Sequence, residues 1–227
     1  MNLRYLRIAI LIIGVIGLMA FAMTGISSAS EKEGIQNLKS PEDIQKFREN
    51  YIKDFYRTGL NTTPGDARFL RITIASAKCK RGIEVGTATG YGALLMGMAF
   101  ERNDGELITI DIDHKMVVAA EKNIKNMGLE KTVKVIENDA LKAIPELKGK
   151  FDFLFIDALK QDYFKYFKAA LPLLTPEAVI VADNVIVFEQ QMKDFLDFME
   201  ESPDYDMQII RCSLEKGDGM AVIYKIK

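Results

Sequence analysis

Tryptophan is absent from this chain of 227 residues, and histidine occurs once, at His114. A single histidine excludes His-rich metal centres. It also argues against a Ser-His-Asp triad, because His114 follows a strand end with no nucleophile beside it. Cysteine occurs twice, at Cys79 and Cys212. Two cysteines make at most one disulfide, and their spacing carries no metal or redox motif, so both read as small buried hydrophobes. Charge of one sign is also lacking: Lys and Arg number 30, Asp and Glu 32, for a net charge of −2. A nucleic-acid binder would carry a basic face, and that class of partner is set aside. Internal repeats and low-complexity tracts are missing as well.

Long uncharged runs are confined to one place. Arg4 and Arg7 precede an apolar stretch over 8–23 that extends without charge to 26, followed by Ser27-Ser28-Ala29-Ser30 and Glu31-Lys32-Glu33. Residues 1–30 read as a retained single-pass membrane anchor, or as a signal segment cleaved after the small residues. The first reading gives a membrane-associated protein; the second gives a secreted or periplasmic one. Arginines ahead of the run favour a cytoplasmic N-terminus and place the remainder outside. Residues 31–60 read as a linker and N-terminal helix, and 61–227 as one domain. The 48% hydrophobic content suffices for one core of that size.

Ser40-Pro41-Glu42-Asp43 is a helix start, with a cap, proline at the first helical position and acids in the first turn. That helix is expected to run to about 57. Asn61-Thr62-Thr63-Pro64-Gly65-Asp66 breaks the chain, and a second helix is expected over 67–77. Short runs rich in Val, Ile, Leu and Phe then predict strands at 82–86, 106–111, 133–137, 151–157 and 178–183, as for strands buried on both faces. Helical spacing lies between them, over 91–102, 114–127, 140–147 and 162–174. A helix over 189–201 leads to strands at 207–213 and 220–226, joined closely enough to form an antiparallel hairpin. The pattern is that of an α/β, doubly wound, seven-stranded Rossmann-like sheet, mostly parallel with a C-terminal antiparallel hairpin.

Sheets of this kind bind ligands at the carboxyl ends of their strands. Ile83-Glu84-Val85-Gly86-Thr87-Ala88-Thr89-Gly90-Tyr91 reads as a strand, a glycine turn and a helix start. Gly86 and Gly90 let the backbone approach a ligand, and the helix N-terminus offers N–H groups to it. Asp111 ends the next strand, where a carboxylate can accept ribose hydroxyls. Asp139, with Ala140, follows the third strand and can meet an adenine edge. The glycine spacing is neither that of a dinucleotide fingerprint nor that of a P-loop. Glu84 would sit badly beside a pyrophosphate and suits a ligand carrying an amino group and a sulfonium. Asp157, and then Asp183 with Asn184, close two further strands. Two carboxylates and an amide oxygen form a hard half-shell for Mg²⁺, Mn²⁺ or Ca²⁺. Taken singly, Asp183-Asn184 can be a turn cap and Lys160 a solvated helix residue.

Glu84-x-Gly86-x-x-x-Gly90-Tyr91 resembles motif I of class I S-adenosylmethionine-dependent methyltransferases. The resemblance extends over 61–227 and is strongest to the cation-dependent O-methyltransferases of the catechol and caffeoyl-CoA type. It implies metal ligands at Asp157, Asp183 and Asn184, and a catalytic lysine at Lys160 in Asp-x-x-Lys, with Tyr163 continuing the match. It implies donor contacts from Thr63, Glu84, Gly86, Thr87, Gly90, Tyr91, Gly92, Asp111, Ile112, Asp139, Ala140 and Asp157. It further implies a small-molecule acceptor, an aromatic vicinal diol, and a homodimer that no feature of the sequence shows independently. Three departures stand out. Gly92 replaces a Ser or Thr common in relatives, the segment after Asn184 is short and leaves the acceptor side open, and Cys212 falls where the mammalian catechol enzyme has an acid. Lipid or quinone-type acceptors, and a degenerate fold acting as a binding module, stay open. Phe164, Tyr166 and Phe167 read as helix packing rather than a substrate box.

Overall fold

The computed structural model describes residues 34–227. The expected single-pass anchor is corrected: no helix among the described residues is long and apolar enough to cross a membrane. The segment 1–30, on which that expectation fell, lies outside the described residues. Two units are distinguished, the second beginning at Arg48.

Helix α1 (Pro41–Lys53) starts where its capping residues place it, with the Asp43 N–H donating to Ser40 Oγ at 3.0 Å. It stops short of 57 because Arg57 is drawn away. Its guanidinium donates to both carboxylate oxygens of Glu215, at 2.8 and 3.3 Å. Helix α2 (Pro64–Ala77) begins three residues earlier than expected, on the Thr63 cap. Proline at N1 needs no N–H partner there, so Pro64 starts the helix instead of preceding it.

The remaining elements alternate: β1 (Arg81–Val85), α3 (Tyr91–Arg102), β2 (Glu106–Asp111), α4 (His114–Asn126), β3 (Val133–Glu137), α5 (Ala140–Ala143), β4 (Phe151–Ile156), α6 (Tyr163–Ala170), β5 (Leu174–Ala182), α7 (Lys193–Glu201), β6 (Tyr205–Ser213) and β7 (Asp218–Lys225). Helices α5 and α6 are shorter than expected and close in 3-10 turns at Pro145 and Pro172, which lack the N–H that an α-helical bond requires. Strand β5 begins at Leu174 rather than 178, with Glu177 at φ 67° and a register shift against β4.

The described residues form a seven-stranded sheet in the order β3-β2-β1-β4-β5-β7-β6. Strands β1 to β5 pair in parallel, and β7 is antiparallel to both β5 and β6. Alternation along β4 shows why the sheet is covered on both faces. Leu154 and Ile156 join one core with Tyr163, Phe167 and Phe195, while Phe153 and Phe155 join the other with Leu70, Leu94 and Phe100. Strands β1 and β4 are neighbours although β2 and β3 intervene in sequence, so the winding reverses between them and opens a crevice at their carboxyl ends. Because β7 runs the other way, its first residues arrive at that same end.

Candidate active site

A cavity of about 640 Å³ occupies the crevice. Its wall carries Gly86, Ala88, Asp111, Ile112, Asp139 and Ala140 from the ends of β1, β2 and β3. It also carries Asp157, Lys160 and Asn184 from the ends of β4 and β5. Gly86, Asp111, Ile112, Asp139 and Ala140, all expected to hold a donor, thus share one space with Asp157, Lys160 and Asn184, while Asp183 is buried off the wall.

Gly86 stands at φ +95°, and a Cβ there would lie 2.0 Å from the carbonyl oxygen of Asp157. Only glycine lets the loop pass so close to the end of β4. Asp111 fixes the loop from the other side: its Oδ2 accepts the N–H groups of Thr87 (3.0 Å) and Ala88 (2.8 Å), and its Oδ1 that of Asp113 (3.0 Å). Asp139 caps the short helix α5 through the Leu141 N–H at 2.9 Å.

Glu84 points to the α3 face of the sheet, between its register neighbours Thr109 and Phe155. It is buried behind the loop rather than on the cavity wall. No hydrogen-bond partner among the described residues reaches its Oε2, and burial pushes the carboxyl up to about 8 despite a hydrogen bond from Thr109. A Cβ at Gly92 would lie 3.0 Å from both Glu84 Oε1 and Thr62 Oγ1. Glycine at 92 therefore keeps room beside the carboxylate, which is the physical sense of its departure from Ser or Thr.

Other expected donor contacts serve the frame. Gly90, at φ +93°, lets the loop pack on Ala120, to whose Cα a Cβ would come within 3.2 Å. The Tyr91 ring is buried against Phe55, centroids 5.1 Å apart, with Arg57 over its face. Thr87 Oγ1 bonds Thr109 Oγ1, and Thr63 Oγ1 donates to Asp66 Oδ2 at 2.5 Å. None of these four lines the cavity.

At the ends of β4 and β5 the chemistry concentrates. Lys160 Nζ donates to Asp157 Oδ1 and to Tyr163 Oη, both at 2.9 Å, and Tyr163 Oη donates to the Asp183 carbonyl at 3.2 Å. Asp183 Oδ1 accepts the Asn184 N–H at 2.7 Å, while the buried Oδ2 lacks a partner among the described residues. Burial first, then repulsion from Asp157 and Asp66, raises the Asp183 carboxyl well above the usual carboxylate range. Asn184 takes φ +60°, a conformation asparagine tolerates better than most residues. Among the described residues there is no group of three His, Cys, Asp or Glu suited to a metal. The donor set here is two carboxylates and an amide. Its partnerless Oδ2 fits a hard cation, as Glu84 Oε2 fits a cationic ligand group.

Several wall residues carried no local signal: Leu60, Met116, Leu159, Val187, Phe188, Lys216 and Asp218. Tyr166 also lines the cavity, whereas Phe164 and Phe167 pack against Phe198 as expected. Both cysteines are free; Cys79 is buried as expected, and Cys212 is half-buried.

A family profile described as O-methyltransferase matches residues 35–226. The chain belongs to the O-methyltransferase family. The match starts well upstream of the expected boundary at 61. A catechol O-methyltransferase of Niastella koreensis is 38% identical over 141 residues, 60% of this chain and 63% of that protein. A probable caffeoyl-CoA O-methyltransferase of Arabidopsis thaliana is 30% identical over 154 residues, 65% of this chain and 66% of its own length. The chain thus spans just under two thirds of these two relatives. An O-methyltransferase of Streptomyces achromogenes involved in tomaymycin synthesis, solved in complex with SAM, superposes with a TM-score of 0.71 at 25% identity, covering 84% of this chain and 92% of that one. An O-methyltransferase of Bacillus cereus, solved with SAH, gives 0.70 at 23% identity over 83% and 93% of the two chains, a likeness of fold. The expected family and sheet are both borne out.

Proposed function

We propose that this O-methyltransferase family member moves a methyl group from S-adenosylmethionine to a hydroxyl of a catechol-like small molecule, with a divalent metal, Mg²⁺ foremost. The observation that carries the reading is the buried, partnerless Asp183 Oδ2, next in sequence to Asn184, which with Asp157 lines the same cavity as the glycine loop. Asp157, Asp183 and Asn184 would hold the cation. When bound, it supplies positive charge that makes an adjacent hydroxyl more acidic. Lys160, which here donates to Asp157 and Tyr163, would take the acceptor's proton once it is in its neutral amine form, its own proton having passed to solvent. Asp111 and Asp139 present carboxylates to the donor's polar groups, and Glu84, buried behind the loop, would act on the donor's positive charge through its field rather than by contact. The cavity's main contribution is to hold the two reactants together, a large share of the barrier for a bimolecular transfer.

The test is transfer of labelled methyl to a panel of catechols. Turnover is expected with Mg²⁺, lost with excess EDTA and restored by Mg²⁺. Turnover that survives chelation would remove the metal from the reading.

Glu84 supplies a second prediction. Its carboxyl is protonated below about pH 8 in the empty site, and a cationic donor favours the charged form. Donor affinity should therefore rise with pH up to about 8, with release of a proton at neutral pH. Calorimetry in buffers of different ionisation enthalpy would detect that proton. Glu84→Gln should bind more weakly and show none.

A further inference from the structure

Asp218 opens β7 and is 3% exposed, yet the chemistry above gives it no part. Its Oδ1 accepts three backbone N–H groups, from Ile186 (3.0 Å), Val187 (3.1 Å) and Gly219 (2.8 Å). A neutral carbonyl oxygen has two lone pairs, so three donors on one oxygen call for a carboxylate, whose charge strengthens each bond. Those bonds also offset the cost of taking the charge out of water.

Two of the three donors belong to the turn that starts at Asn184. The Asp183 N–H still donates to the Ile156 carbonyl of β4, at 3.0 Å. Asn184 then leaves the strand at φ +60°. Each of the next four N–H groups has a partner. Val185 donates to the Gly219 carbonyl (3.1 Å), Ile186 and Val187 donate to Asp218, and Phe188 closes back on the Asn184 carbonyl (3.1 Å). Asp218 and Gly219 thus hold the turn from a strand that runs against β5. The fit is close: a Cβ at Gly219 would lie 3.0 Å from Ile186 Cδ1 and 2.5 Å from the Ile210 carbonyl oxygen. The backbone that aims Asn184, a residue of the cavity wall, is therefore set from β7 as well as from β5.

We propose that Asp218 is a positioning residue for the metal: by pinning Ile186 and Val187 it holds the Asn184 amide ready for a cation that Asp157 and Asp183 would share. The inference rests on the metal-dependent reading above and adds to it the group that keeps one ligand in place.

The test is Mn²⁺ binding, read from the electron paramagnetic resonance signal of the free ion, which needs no turnover. Asp218→Ala should weaken binding by about 10- to 100-fold, the usual effect of removing a group that orients a ligand. Asp218→Asn keeps an oxygen acceptor without the charge and should lose less, about 3- to 10-fold. The Mg²⁺ concentration that gives half the maximal rate should rise by the same factors. Affinity for SAH, by calorimetry, should stay within about twofold of wild type in both variants, because the residues placed to hold the donor follow β1, β2 and β3. Unchanged Mn²⁺ affinity in Asp218→Ala, or in Asp218→Asn if the alanine variant does not fold, would overturn the inference and leave the metal reading intact. Equal losses of Mn²⁺ and SAH affinity would also overturn it, since they would make Asp218 a residue of the fold at large. A wild type that binds no Mn²⁺ would overturn both.

Discussion

Asp183→Asn is expected to lower kcat/KM by about 10²- to 10³-fold while leaving the fold as stable as before or more so. The loss corresponds to the several kcal/mol that a metal contributes to charge stabilisation, at about 1.4 kcal/mol per tenfold. The stability follows from burial. Asp183 is 1% exposed, with one oxygen unpartnered, and repulsion from Asp157 and Asp66 adds to the cost of its charge. Its folded pKa is raised above the unfolded 3.8, so its contribution to stability is full below that value and is lost as the pH rises through the folded pKa. Asparagine carries no such charge. In EDTA at alkaline pH the variant should melt at the wild-type temperature or about 2–4 °C higher, the shift that about 1 kcal/mol gives in a domain of this size. The measurement is a pair: Tm across pH without metal, and kcat/KM with Mg²⁺. Loss of activity and of Tm together would make Asp183 a structural residue.

Gly86→Ala should have the largest effect on stability, about 3 kcal/mol or more. Two costs combine. A left-handed backbone penalises any Cβ by about 1–2 kcal/mol, and overpacking adds about 1–3 kcal/mol. The added methyl would stand 2.0 Å from a backbone oxygen, which cannot swing aside as a side chain does. Gly217→Ala separates the two terms, because Gly217 also has positive φ (+64°) but nothing within 4 Å of the added Cβ. It should cost about 1 kcal/mol from the backbone alone. Denaturant melts of both variants measure the difference. Equal losses would mean that the approach to Asp157 relaxes easily. The clash also predicts a functional loss in Gly86→Ala, since relief requires moving the carbonyl of a residue assigned to the metal.

The glycine loop and the acids at the strand ends were legible because they are local. Gly86, Asp111, Asp157 and Asp183 each close a short apolar run, and such runs announce buried parallel strands wherever they stand. What the spacing could not show was depth. Glu84 and Asp111 both belong to the glycine-loop constellation, yet one lies behind the loop while the other holds it through two backbone N–H groups. That difference arises from alternation in β1 against its neighbours. The direction of the Tyr91 ring was equally hidden: it turns into the core to meet Phe55 and Arg57, residues from a stretch expected to be helix. Lys216 and Asp218 had no local signature at all. They reach the site because β7 runs against the parallel strands, a fact of topology.

The Arg57–Glu215 clamp has a consequence for how such a protein can diversify. It ties the segment ahead of α2 to the β6–β7 turn, so two surface loops distant in sequence form one contiguous piece. Neither loop supplies the glycine turn or the carboxylates after β2 and β3. Substitutions on that piece can alter which molecule is chosen without disturbing how the methyl group is delivered. New acceptors can thus be acquired at the rim while the machinery beneath stays fixed.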